Sequence, residues 1–159
     1  MGAYDGALRE AVLRMKHSSG EGLAEVLARL WASHVGPRVQ ALHPDLVVPV
    51  PLHWTRTWRR GFNQSRILAY TLADFLGVPC RPGCVRRIRR TPQQTHQTPA
   101  ERWSNVRGAF RCRTGLDLRS KTIVLVDDVL TTGATASEAA RALRTARPGR
   151  IIVAVVAHG

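Results

Sequence analysis

Two adjacent carboxylates, Asp127 and Asp128, stand at the carboxyl end of a short apolar run, Ile123-Val-Leu-Val126, and Thr131, Thr132, Gly133, Ala134 and Thr135 follow shortly after. Small and hydroxylic residues opening a helix offer unpaired N–H groups and the positive end of the helix dipole, which suits a phosphate. Gly133 permits close backbone approach, and the threonine hydroxyls add donors. The dipole alone contributes ~0.3–1 kcal/mol, so direct hydrogen bonds must carry most of the affinity. Carboxylates repel phosphate, so Asp127 and Asp128 need a different partner: sugar hydroxyls, a divalent cation, or both. A ligand with a ribose in its middle and a phosphate at one end satisfies both halves.

The elements that must position these groups follow from the apolar pattern. The unbroken run 123–126 predicts a strand buried on both faces of a parallel sheet. The helix after it has Thr135 and Glu138 at capping-box spacing and an apolar face of Ala136, Ala139, Ala140, Leu143 and Ala146. Residues 150–157 predict a second buried parallel strand, completing a βαβ unit. Upstream, residues 4–16 and about 21–34 read as helices. The first has Leu8, Ala11, Val12 and Met15 on one face; the second buries Leu23, Val26, Leu27, Leu30 and Trp31. Gly36-Pro37 and His43-Pro44 bracket the way to a strand over 46–50. Asn63 caps a helix reaching Leu76 with Leu68, Leu72, Phe75 and Leu76 inward, and Gly77 and Pro79 end it. One or two short strands are expected within 78–88, and Thr98-Pro-Ala-Glu101 starts another helix.

A second chemically suggestive stretch lies between Pro49 and Ser65. It follows a strand, so in a parallel sheet it reaches the same edge as the threonine loop. It sets Arg56, Arg59 and Arg60 among Trp54, Trp58 and Phe62. Arginine forks suit pyrophosphate oxygens, and arginines interleaved with aromatics suit stacked single-stranded bases. The formal net charge of the 159-residue chain is +13, and residues 46–116 hold thirteen of its twenty-four basic residues against two acids, Asp74 and Glu101. That concentration, which includes the run Arg86, Arg87, Arg89 and Arg90, fits an anionic partner, either a polyphosphate metabolite or nucleic acid.

Length and a 44% hydrophobic content are those of one globular domain, here residues 1–159, with N-terminal helices over 1–35 and a core and hood over 36–159. No apolar run approaches the ~20 residues of a membrane span, and no leader pattern is present, so the expectation is a cytoplasmic protein without membrane insertion. Cys80, Cys84 and Cys112 have neither disulfide-framework nor zinc-site spacing, so free thiols and no structural zinc are expected.

The strand, acid pair and threonine–glycine turn resemble the phosphoribosyl pyrophosphate loop of the type I phosphoribosyltransferases. The resemblance narrows to the ComF family, associated with natural competence and DNA uptake. It is carried in order by Tyr4-x-Gly6-x-Leu8-Arg9 with Lys16, Pro49-Val-Pro-Leu52, Arg60-Gly-Phe-Asn-Gln64, Arg90-Thr91 with Gln94, Arg102-x-x-Asn105-Val106 and Gly108-Ala-Phe110. Many members begin with a four-cysteine zinc ribbon that this sequence does not contain, so no role of the ribbon transfers. The resemblance implies an α/β type I phosphoribosyltransferase-like fold, with a mostly parallel sheet, flanking helices and a small hood. It implies that Asp127 and Asp128 hold the ribose hydroxyls as catalytic residues, that 131–135 hold the 5′-phosphate, and that Pro51, Leu52, Arg56, Arg59 and Arg60 line the pyrophosphate side. Mg²⁺ is the implied cofactor, reached through the ligand with or without Asp127 and Asp128. Two functions then stand side by side. One is phosphoribosyl transfer to an acceptor that the sequence does not identify. The other is a competence protein with a retained ligand site, which binds single-stranded DNA through Trp54, Trp58, Arg59, Arg60 and the 86–90 run and works with a DNA-uptake ATPase.

Overall fold

In the computed structural model, residues 2–17, 19–52, 61–91 and 98–159 are described. In chain order the elements are β1 (Gly2–Ala3), α1 (Gly6–Arg14), α2 (Glu21–Gln40), β2 (Leu46–Pro49), α3 (Gln64–Leu76), β3 (Val85–Arg87), α4 (Pro99–Val106), β4 (Phe110–Cys112), β5 (Thr122–Leu130), α5 (Ala134–Leu143) and β6 (Arg150–His158). The strands β1-β6-β5-β2 lie side by side in that order, all parallel, while β3 and β4 form a separate antiparallel pair. The architecture is the α/β one expected, and the antiparallel pair with α4 is its small hood.

The predicted double burial of β5 is what layers the molecule. Ile123, Val124, Leu125 and Val126 are all fully buried. Val124 and Val126 belong to a core with α1, α2 and α3 on one face of the sheet, while Ile123 and Leu125 belong to a second core with α5, Val85 and Phe110 on the other. Each such side chain contributes roughly 1.5–3 kcal/mol on burial, so the strand cannot shift register without exposing both faces.

Four expectations are corrected. First, α2 buries Trp31 as expected but otherwise turns a different face inward: Ala24, Ala28, Ala32, Val35 and Val39 are buried, whereas Leu23, Val26 and Leu30 are exposed. The stripe of small residues lets α2 lie close to α3, which the bulkier stripe would prevent. Second, Gly36-Pro37 does not end that helix, which runs on to Gln40. Gly36 is buried where the Phe75 ring of α3 occupies the space of a β-carbon, and packing of Val35, Gly36 and Val39 holds the last turn helical despite the proline. Third, Phe75 itself is partly exposed, unlike Leu68, Leu72 and Leu76. Fourth, Thr135 and Glu138 make no capping box; the residue before α5 is Gly133, without a side-chain cap, and Glu138 is occupied elsewhere. The helix starts expected at Asn63 and Thr98 are present. Asn63 accepts from Ser65 N, and Thr98 and Glu101 bond reciprocally.

Candidate functional site

Asp127 and Asp128 occupy the carboxyl-terminal part of β5, past the four fully buried residues. Each carboxylate has its own partner from another element. Ser65 Oγ donates to Asp127 Oδ1 at 2.9 Å, and Lys16 Nζ lies 3.0 Å from Asp128 Oδ2. Their orientation is reinforced locally, since the N–H of Asp128 donates to Asp127 Oδ1 at 2.9 Å and that of Val129 to Asp128 Oδ1 at 2.8 Å. Burial pushes the Asp127 carboxyl well above the usual carboxylate range. The neighbouring Asp128 charge pushes the same way, against the Ser65 and Asp128 N–H hydrogen bonds and the Lys16 charge.

The segment Phe62–Ser65 explains why those partners arrive there. Phe62 is buried in the core, and Asn63 caps α3 while its Nδ2 donates to Val50 O at 3.4 Å, just past β2. Buried Gln64 donates from Nε2 to Met15 O at 3.0 Å, which fixes the turn carrying Lys16. The sequence flagged Asn63 as a helix cap, but Lys16 and Gln64 only as parts of a pattern. Their chemistry depends on contacts distant in sequence, for which there is no local signal.

The threonine loop follows directly. Thr131 is exposed, Thr132, Gly133 and Thr135 are half-buried and Ala134 is buried. Gly133 has φ 75°, the left-handed conformation that turns the chain into α5 and favours glycine. Thr132 Oγ1 accepts from Ala134 N at 3.5 Å. From α4, Arg102 reaches over and donates to Thr131 Oγ1 at 2.9 Å, bringing a guanidinium to the loop that sequence reasoning had given no role. The hood is held in place by Glu138, whose Oε2 accepts from Gly108 N at 2.9 Å and whose carboxylate pairs with Arg141.

Pro51 and Leu52 are half-buried just past β2. Because Pro49 is in register with Val126, they reach the sheet edge beside the acid pair. Arg56, Arg59, Arg60, Trp54 and Trp58 lie outside the described residues, as does Gln94. The 86–90 run divides. Arg87 donates to Thr91 Oγ1 and lies 5.2 Å from the Phe110 ring centre, and Arg89 donates to the carbonyls of Asn105 and Arg107 at 2.8 and 2.7 Å. Both therefore brace the hood, although Arg89 is exposed, as are Arg86 and Arg90.

Among the described residues no cluster of three His, Cys, Asp or Glu side chains could hold a metal by itself. Two adjacent carboxylates do match the way Mg²⁺ is commonly held, through one or two carboxylates together with substrate phosphates. Cys80, Cys84 and Cys112 are free thiols. Among the described residues no helix is long and apolar enough to cross a membrane.

Residues 59–159, from just before the Phe62–Ser65 segment to the end of β6, match the family model for the phosphoribosyl transferase domain. The chain belongs to that family. It is 38% identical over 143 residues to the DNA utilization protein YhgH of Salmonella typhimurium, covering 88% of this chain and 62% of that protein. It is 32% identical over 148 residues to competence protein F of Haemophilus influenzae, covering 91% and 65% respectively. The ComF resemblance read from the motifs is borne out, and the chain spans about three-fifths of the length of these relatives. Among solved structures, the purine phosphoribosyltransferase of Pyrococcus horikoshii superposes with a TM-score of 0.55 at 19% identity, over 83% of this chain and 74% of that one. That likeness shows the phosphoribosyltransferase fold.

Proposed function

We propose that this phosphoribosyltransferase-domain protein binds phosphoribosyl pyrophosphate together with Mg²⁺ at residues 127–135 and transfers the phosphoribosyl group to an acceptor. The observation that carries the reading is the junction of β5 and α5. There a partnered carboxylate pair is followed by a glycine turn into a helix whose N-cap, Gly133, supplies no side-chain cap. Asp127 and Asp128 accept hydrogen bonds from the ribose hydroxyls. The N–H groups and hydroxyls of 131–135 hold the 5′-phosphate. Pro51 and Leu52, with Arg56, Arg59 and Arg60, lie on the pyrophosphate side.

In the transfer, the acceptor's lone pair forms a bond to the anomeric carbon as the carbon–oxygen bond to pyrophosphate breaks. The bonding electrons leave with pyrophosphate, and the acceptor's proton passes to solvent. Positive charge develops on the ribose ring, and Asp127 and Asp128 lie where negative charge stabilises it. Mg²⁺, when bound, neutralises the departing pyrophosphate. Release of pyrophosphate, assayed across a panel of nucleobases and amines, tests the transfer. Release that stays at the level of an Asp127→Asn, Asp128→Asn double variant with every acceptor would remove the enzymatic part of the proposal.

A second reading, binding of single-stranded DNA, draws on the hood. Arg86 and Arg111 face each other in register across β3 and β4, and both are exposed. Like charges directly opposed destabilise a strand pair, and a phosphate backbone would relieve them. The relatives' names, competence protein F and DNA utilization protein, point the same way. An Arg86→Ala, Arg111→Ala double variant should weaken oligonucleotide binding and flatten its salt dependence. Unaltered binding in that variant would place the contact elsewhere.

A further inference from the structure

The N-terminal pattern ending in Lys16 lies more than a hundred residues from the acid pair in sequence, yet the fold brings it there. Three pairs of neighbouring residues meet. Met15 and Lys16 come from the turn after α1, Gln64 and Ser65 from the start of α3, and Asp127 and Asp128 from β5. The contacts form a closed set. Gln64 Nε2 donates to Met15 O at 3.0 Å, Ser65 Oγ donates to Asp127 Oδ1 at 2.9 Å, and Lys16 Nζ pairs with Asp128 Oδ2 at 3.0 Å. Met15 is fully buried and Gln64 is 1% exposed, so the platform beneath Lys16 is fixed by the core.

Surface ion pairs between long side chains do little, because solvent screens them and the side chains wander. This pair differs on both counts. Its side chains are 27% and 16% exposed, and the backbone on either side is held by buried contacts. Two adjacent carboxylates also repel one another, and without external partners they would rotate apart. Separate partners on separate elements set their directions.

From this geometry we infer that Lys16 is a positioning residue of the ribose site, acting through Asp128 as Ser65 acts through Asp127. The N-terminal segment is therefore part of the ligand-binding apparatus, although the matched phosphoribosyltransferase region begins only at residue 59. Lys16 fixes the orientation in which Asp128 meets a vicinal diol; it does not touch the 5′-phosphate, which belongs to 131–135. The inference rests on the ribose phosphate reading of the site, and it predicts a split between two ligands that simple loosening of the fold would not produce.

The test is calorimetric titration of the full chain with ribose 5-phosphate and, separately, with inorganic phosphate, for wild type, Lys16→Met and Lys16→Arg. Wild type should bind both. Lys16→Met should weaken ribose 5-phosphate on the order of tenfold, the change carried by one charge-assisted hydrogen bond, and leave inorganic phosphate within about twofold. Lys16→Arg should recover most of the loss. Equal ribose 5-phosphate affinity in wild type and Lys16→Met overturns the inference and leaves the ribose phosphate reading standing. So does a parallel loss of both ligands, or failure of arginine to rescue. A wild-type protein that binds no ribose 5-phosphate overturns both. Should Lys16→Met fail to fold, Ser65→Ala carries the same split, and its absence there overturns the inference equally.

Discussion

Replacing Gly133 with valine separates backbone strain from contact loss, because the surroundings leave room for a side chain. A β-carbon there would lie 3.9 Å from Leu130 Cδ1 and 4.0 Å from Ser137 Oγ, which is ordinary contact. The penalty is therefore conformational: at φ 75° an L-residue costs roughly 1–2 kcal/mol, and a β-branched one sits at the upper end. For a chain of this size that corresponds to a fall in melting temperature of about 2–8 °C. If the loop relieves the strain by moving φ negative, the N–H groups of 131–135 no longer converge, and phosphate affinity should fall at least ~10-fold. The control is Gly115→Ala. Gly115 has φ 71°, nothing within 4 Å of its β-carbon position, and a place in the connection between β4 and β5. It should lose comparable stability and keep phosphate binding. Thermal unfolding and calorimetry on the two variants read both quantities. Unchanged melting of Gly133→Val, or equal loss of binding in Gly115→Ala, would refute the reasoning.

Two further outcomes are expected. Trp31→Phe removes the indole donor that reaches Val155 O at 2.9 Å in the buried interface of α2 and β6. The orphaned carbonyl should cost roughly 1–3 kcal/mol, read as a lower denaturant midpoint with an unchanged slope; an unchanged midpoint contradicts it. Burial pushes the Cys80 thiol up to about 11 from an ordinary value of 9.0, so native Cys80 should resist alkylation at pH 8.5 and react freely only after unfolding. Because its folded value is the higher one, its contribution to stability is complete below pH 9 and is lost as pH rises through about 11.

What the sequence made legible was local. The run 123–126 read as a doubly buried strand, and residues 63–77 carried a cap, a periodic face and a glycine stop, so β5 and α3 were readable. The face of α2 was not, because Leu23, Val26 and Leu30 make as good a stripe as Ala24, Ala28 and Trp31, and only α3 decides between them. The two-residue strand β1 pairs with Ala157 and His158 and has no pattern of its own. In the candidate site, the acids and threonine loop were visible as a contiguous stretch. Lys16 and Arg102 were visible only as residues in motifs, and Ser65 only as the end of the arginine-rich stretch, because their partners at Asp128, Thr131 and Asp127 come from later in the chain.

The most direct measurement is calorimetric titration of the folded wild-type chain with phosphoribosyl pyrophosphate in the presence of Mg²⁺, repeated with Asp128→Asn. A saturable single-site heat is predicted, with weaker binding of ribose 5-phosphate, which lacks the pyrophosphate contacts. In Asp128→Asn the affinity should fall about tenfold or more, since hydrogen bonds to a charged group contribute ~1.5–3 kcal/mol. Undetectable heat from folded wild type at millimolar ligand, or an Asp128→Asn isotherm that overlays the wild type, would contradict the account.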